Sequence, residues 1–224
     1  MVFVFDLDHT LLDTEKLLRS YVRDALRPYG VSWQIFKKAL SKDKRLRSRR
    51  GCATPRTIFS SLSSITKRTY PISLQRQLLK YFRIHAHNFF YPDVFRILPT
   101  LHGKKILLTK GNRVIQASKL QHASVRSLFD RIQVTPHVKA GRLKRIVATF
   151  PPGERIIFID DWHEEHKAAL KVMPQLTSAH MIRRGRDRKR VAHRRCFMVQ
   201  NLKQLKSLVI SMSLPEYADK KHRN

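Results

Sequence analysis

The chain is short of three things: cysteine, acidic side chains and long apolar runs. Its two cysteines, Cys52 and Cys196, are too few and too scattered for a disulfide framework or a zinc site, and such scarcity fits a reducing compartment. No apolar run approaches the ~20 residues that cross a bilayer, and the N-terminus has no basic segment followed by a long apolar one. A cytoplasmic protein without a membrane span is the expectation. Acids number 16 against 46 lysines and arginines, which leaves a formal charge of +30. A surface this cationic attracts polyanions, so RNA, DNA, ribosomes, polyphosphate and acidic membranes all qualify as partners. The plainer reading is a generally basic composition that serves solubility alone.

Where acids are scarce, their placement carries information. Eight of the 16 fall in two clusters: Asp6, Asp8, Asp13 and Glu15, and far downstream Asp160, Asp161, Glu164 and Glu165. Each cluster follows an apolar run, residues 2–5 in the first case and 156–159 in the second. Runs of β-branched and aromatic residues read as buried strands. Two such strands ending in carboxylates suggest one shared site that holds a cation.

At 224 residues the chain can bury one α/β domain carrying an insert. Helical periodicity covers about 11–27, 32–40, 54–64 and 73–90, and nothing between 14 and 90 reads as a strand. The run 42–50 holds six basic residues in nine and is either a solvated helix face or a loop that meets phosphates. From Tyr91 onward strands and helices alternate. Strands are expected near 105–108, 131–134, 155–159, 177–182 and 197–199, and helices near 92–101, 113–122, 142–149, 164–172 and 202–210. That alternation implies a Rossmann-like, three-layer α/β/α core with a mostly parallel sheet and an inserted α-helical cap. The expected organisation is a core of residues 1–13 and 91–212, a cap of 14–90 and a basic tail of 213–224.

Ligands of such sheets bind beyond the carboxyl ends of the strands. Asp6, Thr109, Lys139 and Asp161 all lie at or soon after predicted strand ends, so one crevice is expected to collect them. The residue types suit a phosphate ester. A carboxylate such as Asp6 attacks phosphorus and splits one hard displacement into two easier ones. Asp8 protonates the leaving alcohol and later deprotonates water. Oxygen ligands from Asp6, Asp161 and a backbone carbonyl suit Mg²⁺. Thr109 holds phosphoryl oxygens, and Lys139 offsets their charge.

These residues also match a family. Asp6-Leu7-Asp8-His9-Thr10 after an apolar strand resembles the opening Asp-x-Asp-x-Thr motif of the haloacid dehalogenase (HAD) superfamily. Leu107-Leu108-Thr109-Lys110-Gly111-Asn112 is similar to its second motif, the approach from Phe129-Asp130 to Lys139 to its third, and residues 158–165 to its acidic fourth. The resemblance runs in order over about 1–212. It implies Asp6 as nucleophile and Mg²⁺ ligand, Asp8 as general acid/base and backbone-carbonyl ligand, Thr109, Lys110 and Lys139 around the phosphate, and Asp161 as second metal carboxylate. Asp160 or Glu165 would complete the metal's shell. Dehalogenases of the family lack the second aspartate, so Asp8 implies a phosphatase or phosphomutase acting on a phosphorylated small molecule. The helical insert resembles the cap of the phosphoglycolate phosphatase and β-phosphoglucomutase branch.

The chain departs from the family pattern at Lys110, where many relatives carry Asn, at Glu165 in place of Asp, and at His9 in place of Gly. Lys144 competes with Lys139 as the third-motif lysine. His163 and His166 are expected as exposed residues of a helix start rather than metal ligands, and His85 and His87 as packing residues. Trp33, Phe82, Phe89, Phe90 and Tyr91 read as the cap's own core in preference to a base-stacking platform. The segment 183–195, with eight basic residues and one acid, is the leading nucleic-acid candidate outside the cap. The cap itself holds 18 basic and three acidic residues over 15–90, which raises two alternatives: a phosphatase for nucleotides or nucleic-acid ends, and an RNA-binding protein whose catalysis is vestigial.

Overall fold

The computed structural model describes residues 1–46, 52–183 and 191–213. The fold is built around β1 (Val2–Phe5), whose four residues are all buried. After it the chain runs through α1 (Thr14–Tyr21), α2 (Trp33–Leu46), α3 (Pro55–Thr66), α4 (Ile72–His85) and α5 (Pro92–Ile97) before the next strand. β2 (Lys104–Lys110), α6 (Arg113–Lys119), α7 (Ala123–Arg126), β3 (Arg131–Thr135) and α8 (Ala140–Val147) follow. β4 (Ile156–Asp160), α9 (His163–Val172), β5 (Thr177–Met181), β6 (Cys196–Val199) and α10 (Leu202–Ser213) complete it.

The six strands form one sheet in the order β3-β2-β1-β4-β5-β6, and every pairing is parallel. Alternation along the strands sorts the core into two layers. Val2, Val4, Ile106, Leu108, Ile156 and Phe158 face α8 and α9 through Leu143, Ile146, Ala169 and Leu170. Phe3, Phe5, Leu107, Ile157 and Ile159 face the other way, onto Ile115, Leu120, Leu202 and Leu205. That second layer continues without a break into Leu17, Tyr21, Phe36, Leu62 and Leu78 of the helical insert. Phe82, Phe90 and Tyr91 are buried in it and Trp33 and Phe89 pack against it, as expected for a cap core.

The insert joins the sheet through a neck. The Asp13 amide donates to the Phe89 carbonyl at 2.9 Å, the Tyr91 amide donates to the Leu11 carbonyl at 3.0 Å, and Leu12 bridges Phe90 antiparallel. Its helical content is as expected, with no strand between β1 and β2 among the described residues. The first helix, however, starts at Thr14 and not at Leu11. Leu11 and Leu12 are fully buried in the turn, where their amides donate to the Leu7 carbonyl, and the Asp13 side chain caps the helix by accepting from the Lys16 amide. Apolar spacing alone could not separate a buried turn from a helix. The expected single helices 11–27 and 73–90 break into α1 with a π turn at Val22–Leu26, and into α4 with a 3₁₀ turn at Ala86–Phe89.

Two backbone positions enforce the geometry around β1. Gly103 has φ +131°, and a Cβ there would meet the Met1 carbonyl oxygen at 2.3 Å. His9 takes a left-handed φ of 68°, which explains why glycine suits that place in related turns. Of the basic run 42–50, the first part closes α2, and 47–50 lie outside the described residues, as do 184–190 and 214–224. Among the described residues no helix is long and apolar enough to cross a membrane.

Candidate active site

β1 lies between β2 and β4, with Phe5 opposite both Leu107 and Ile159. The side chains that follow these positions therefore emerge at one edge of the sheet, on either side of the point where the strand order reverses. Asp6 follows β1, Thr109 is near the end of β2, Asp160 ends β4 and Asp161 comes next. Carboxylate oxygens of Asp6, Asp160 and Asp161 lie within 4.8 Å of one another.

Among the described residues one cation serves that cluster. The Lys139 ammonium, 3% exposed, donates to Asp6 Oδ1 and, at 2.6 Å, to Asp160 Oδ2. Asp160 Oδ1 also accepts from the Trp162 amide at 2.9 Å, so both of its oxygens are engaged. Asp6 Oδ2 and the Asp161 carboxylate make no hydrogen bond among the described residues and are the oxygens with capacity to spare. Burial pushes Asp6 up to about 7, with Lys139 opposing and Asp160 and Asp8 adding to the rise. Burial, reinforced by the neighbouring Asp6 and Asp160 charges, also drives Asp161 well above the ordinary carboxylate range. Three carboxylates around one ammonium form a hard-oxygen donor set with excess negative charge, which fits a divalent cation such as Mg²⁺.

Lys139 sits immediately before α8 and meets the acids, whereas Lys144 is exposed on that helix. Glu165 is drawn elsewhere. It accepts from the Lys139 amide at 2.8 Å and from the Lys110 ammonium at 3.1 Å, so its carboxylate is outside the Asp6, Asp160 and Asp161 group. The two departures from the family pattern thus pair with each other: the lysine at 110 finds its counter-charge in the longer acid at 165. Lys110, 43% exposed, directs its ammonium to Glu165.

Asp8 turns away from the carboxylate cluster toward α6. Gln116 Nε2 donates to Asp8 Oδ2 at 2.8 Å, the Lys119 ammonium donates to Oδ1 at 2.6 Å, and the Thr14 hydroxyl donates to Oδ1 as well. Burial alone would raise the Asp8 carboxyl, but the Lys119 charge and these three hydrogen bonds outweigh it and hold the group well below the usual carboxylate range. Gln116 Nε2 also reaches the buried Thr109 hydroxyl at 2.5 Å, so one amide spans the two motifs. Gln116 and Lys119 escaped the sequence reading. The available signal was a pair of polar residues at i and i+3 on a helix launched from the second motif, with Asn112 capping it.

Three further positions differ from expectation. His163 is 5% exposed and His166 fully buried, so neither is a surface residue. His166 Nε2–H donates to the Asp160 carbonyl at 2.9 Å while Nδ1 meets the Ser178 hydroxyl at 2.5 Å, and His180 Nε2–H donates to the Asp161 carbonyl at 3.0 Å. These rings buttress the acidic turn from behind; burial pulls His166 down to about 4. Arg183, placed in the nucleic-acid candidate segment, is 6% exposed. Its guanidinium donates to the Thr10 carbonyl at 3.1 Å and to Asp93 Oδ2 at 2.8 Å and lies over the Tyr91 ring. It ties the first-motif turn to α5 instead of facing solvent.

The profile of the haloacid dehalogenase-like hydrolases matches residues 3–173. Among solved structures, L-2-haloacid dehalogenase from Xanthobacter autotrophicus with chloropropionic acid covalently bound is 17% identical, covers 95% of this chain and 99% of its own, and superposes with a TM-score of 0.67. YfnB from Bacillus subtilis, provisionally assigned as a HAD-hydrolase and bound to magnesium, is 16% identical over 93% of this chain and 98% of its own, with a TM-score of 0.70. A Lactobacillus plantarum protein provisionally assigned as a phosphoglycolate phosphatase is 16% identical over 92% and 98%, with a TM-score of 0.57. At these identities the likeness concerns the fold. A search of curated protein sequences finds no significant match.

Proposed function

The chain belongs to the haloacid dehalogenase-like hydrolases, and within that family we propose that it is a Mg²⁺-dependent phosphatase that cleaves a phosphate monoester through an aspartyl-phosphate on Asp6. The observation that carries this reading is the convergence of Asp6, Asp160 and Asp161 within 4.8 Å around a single ammonium. A 2-haloacid carries its one negative charge on the carboxylate and not on the carbon under attack, and a departing halide needs no proton. Dehalogenation would leave the surplus carboxylates, and Asp8 as an acid for the leaving group, without a task. A phosphate dianion gives a task to both, since attack by an anion on an anion needs a cation between them.

Asp6 and Asp161 would hold the metal, with Asp160 behind them fixed by Lys139 and the Trp162 amide. When bound, Mg²⁺ supplies the charge neutralisation that lets a carboxylate approach the phosphoryl group. Asp6 attacks phosphorus, and the bond from phosphorus to the leaving oxygen breaks. Asp8 gives that oxygen its proton. In the second half Asp8 takes a proton from water, the water oxygen attacks phosphorus, and the phosphorus–Asp6 bond breaks to release inorganic phosphate. The proton gained there serves the leaving group of the next turnover. Thr109, oriented by Gln116, holds a phosphoryl oxygen, and Lys139 balances the growing charge. The test is release of phosphate from p-nitrophenyl phosphate with Mg²⁺, lost in Asp6→Asn and with EDTA. Turnover of 2-chloropropionate with the aryl phosphate untouched would refute the reading.

A second reading keeps the chemistry and changes the substrate, and one observation favours it. The insert's three acids are already engaged or hidden: Glu15 pairs with Arg19 at 2.8 Å, Asp24 pairs with Arg23 at 2.6 Å and accepts from Tyr81, and Asp43 is 1% exposed. The remaining cations of 15–90 therefore give the cap a strongly positive field. Under this reading the substrate is a nucleotide or the phosphorylated end of a nucleic acid. An end-phosphorylated oligonucleotide should then be hydrolysed better than a sugar phosphate at low salt, with the advantage lost as salt rises. Equal rates at low salt would remove it. Salt-sensitive RNA binding without turnover of any phosphate would favour a binding protein instead.

A further inference from the structure

We propose that Lys119 is the positioning residue for Asp8, and that it acts on the water step of turnover; the inference rests on the phosphatase reading above. Lysine is rarely buried without a specific partner. Lys119 is 6% exposed, and its ammonium has one carboxylate within reach, Asp8 Oδ1 at 2.6 Å. The other Asp8 oxygen accepts from Gln116, one helical turn earlier on the same face of α6. Thr14, from the first turn of α1, completes the set. Three donors from two elements fix the rotamer of a carboxylate that keeps a quarter of its side chain open to solvent, at 26% exposure.

The ammonium is covered from the cap side. The Phe82 ring of α4 stands 5.8 Å from Lys119 Nζ, and Phe82 is itself buried in the insert's core. The Lys119 ammonium thus touches both a cap aromatic and the acid/base carboxylate. A lysine with only a structural role would bind an acid with no chemistry to perform. This one holds the group that must take a proton from water, and with Gln116 and Thr14 it fixes where that carboxylate points.

The consequence is kinetic and can be isolated. p-Nitrophenolate leaves without a proton, so formation of the aspartyl-phosphate from p-nitrophenyl phosphate does not call on Asp8, whereas its hydrolysis does. In Lys119→Met the second step should slow by roughly 10–100-fold, by analogy with the loss of an outer-shell partner that orients a metal ligand. Then kcat and KM fall together, kcat/KM stays near the wild-type value, and a burst of about one equivalent of p-nitrophenolate precedes the steady state. Lys119→Arg, which keeps charge and donors, should recover most of kcat. Lys119→Gln, which keeps a donor without the charge, is read in the same way if the Met variant does not fold by circular dichroism. Unchanged kcat, or a fall in kcat/KM with no burst, overturns the role of Lys119. Full turnover by Asp6→Asn, or wild-type inactivity on the aryl phosphate, removes the phosphatase reading itself and is distinguishable from either.

Discussion

His166 provides a direct test of how the acidic turn is supported. Its ring is fully buried between β4 and β5, with Nε2–H on the Asp160 carbonyl, Nδ1 on Ser178 Oγ and the His180 ring 5.0 Å away. Burial holds its pKa near 4, with His180 and Lys139 opposing protonation and Asp160 favouring it. In the unfolded chain the imidazole titrates near ~6.5. Between those values the unfolded state binds more protons, so stability is complete above the unfolded pKa and is lost as pH falls toward the folded one. A gap of that size corresponds to about 3 kcal/mol. For a chain of this length that is roughly 6–12 °C in Tm. Urea unfolding of wild type and His166→Gln from neutral pH down to about 4 should give a difference curve that changes by about this amount. Glutamine keeps a donor for the carbonyl and removes the titration. A flat difference curve would show that the buried imidazole is not held neutral.

Three other perturbations have defined outcomes. Lys139→Met leaves Asp6 and Asp160 without their shared cation; thermal or urea unfolding without metal should show a loss of about 3–5 kcal/mol, partly restored by Mg²⁺, and phosphatase activity should vanish. His9→Gly relieves a left-handed residue and should leave stability unchanged or raise it by up to about 1 kcal/mol, whereas His9→Val should lower it, both read from Tm. A double-mutant cycle on Lys110→Asn and Glu165→Asp should return a coupling of about 0.5–1 kcal/mol, modest because Lys110 is partly exposed; zero coupling would mean that the two departures from the family pattern are independent.

The parallel core, the helical insert and the acidic clusters at strand ends were legible because each has a local signature: apolar runs of strand length, helical spacing, and carboxylates concentrated in a chain that has few. The family assignment used the same features. What stayed hidden depends on long-range contact. Lys119 and Gln116 gain meaning only when α6 packs beside Asp8, more than a hundred residues away in sequence. His166 and Arg183 look like surface residues by type and neighbourhood, yet β5 buries the first and α5 supplies Asp93 for the second. Leu11 and Leu12 fit a helix by spacing, and the neck with Phe89–Tyr91 claims them for a turn. Glu165 sits in the acidic motif, but the lysine at 110 and the Lys139 amide determine where its carboxylate points.

In the proposed mechanism Asp6 is phosphorylated during turnover. The most direct measurement is mass spectrometry of protein quenched in acid during reaction with p-nitrophenyl phosphate and Mg²⁺. One phosphoryl group is expected on the peptide carrying Asp6, absent in Asp6→Asn and absent when EDTA is present. Steady phosphate release by Asp6→Asn, or a modified Asp6 that carries an alkyl group from chloropropionate with no phosphate turnover, would contradict it.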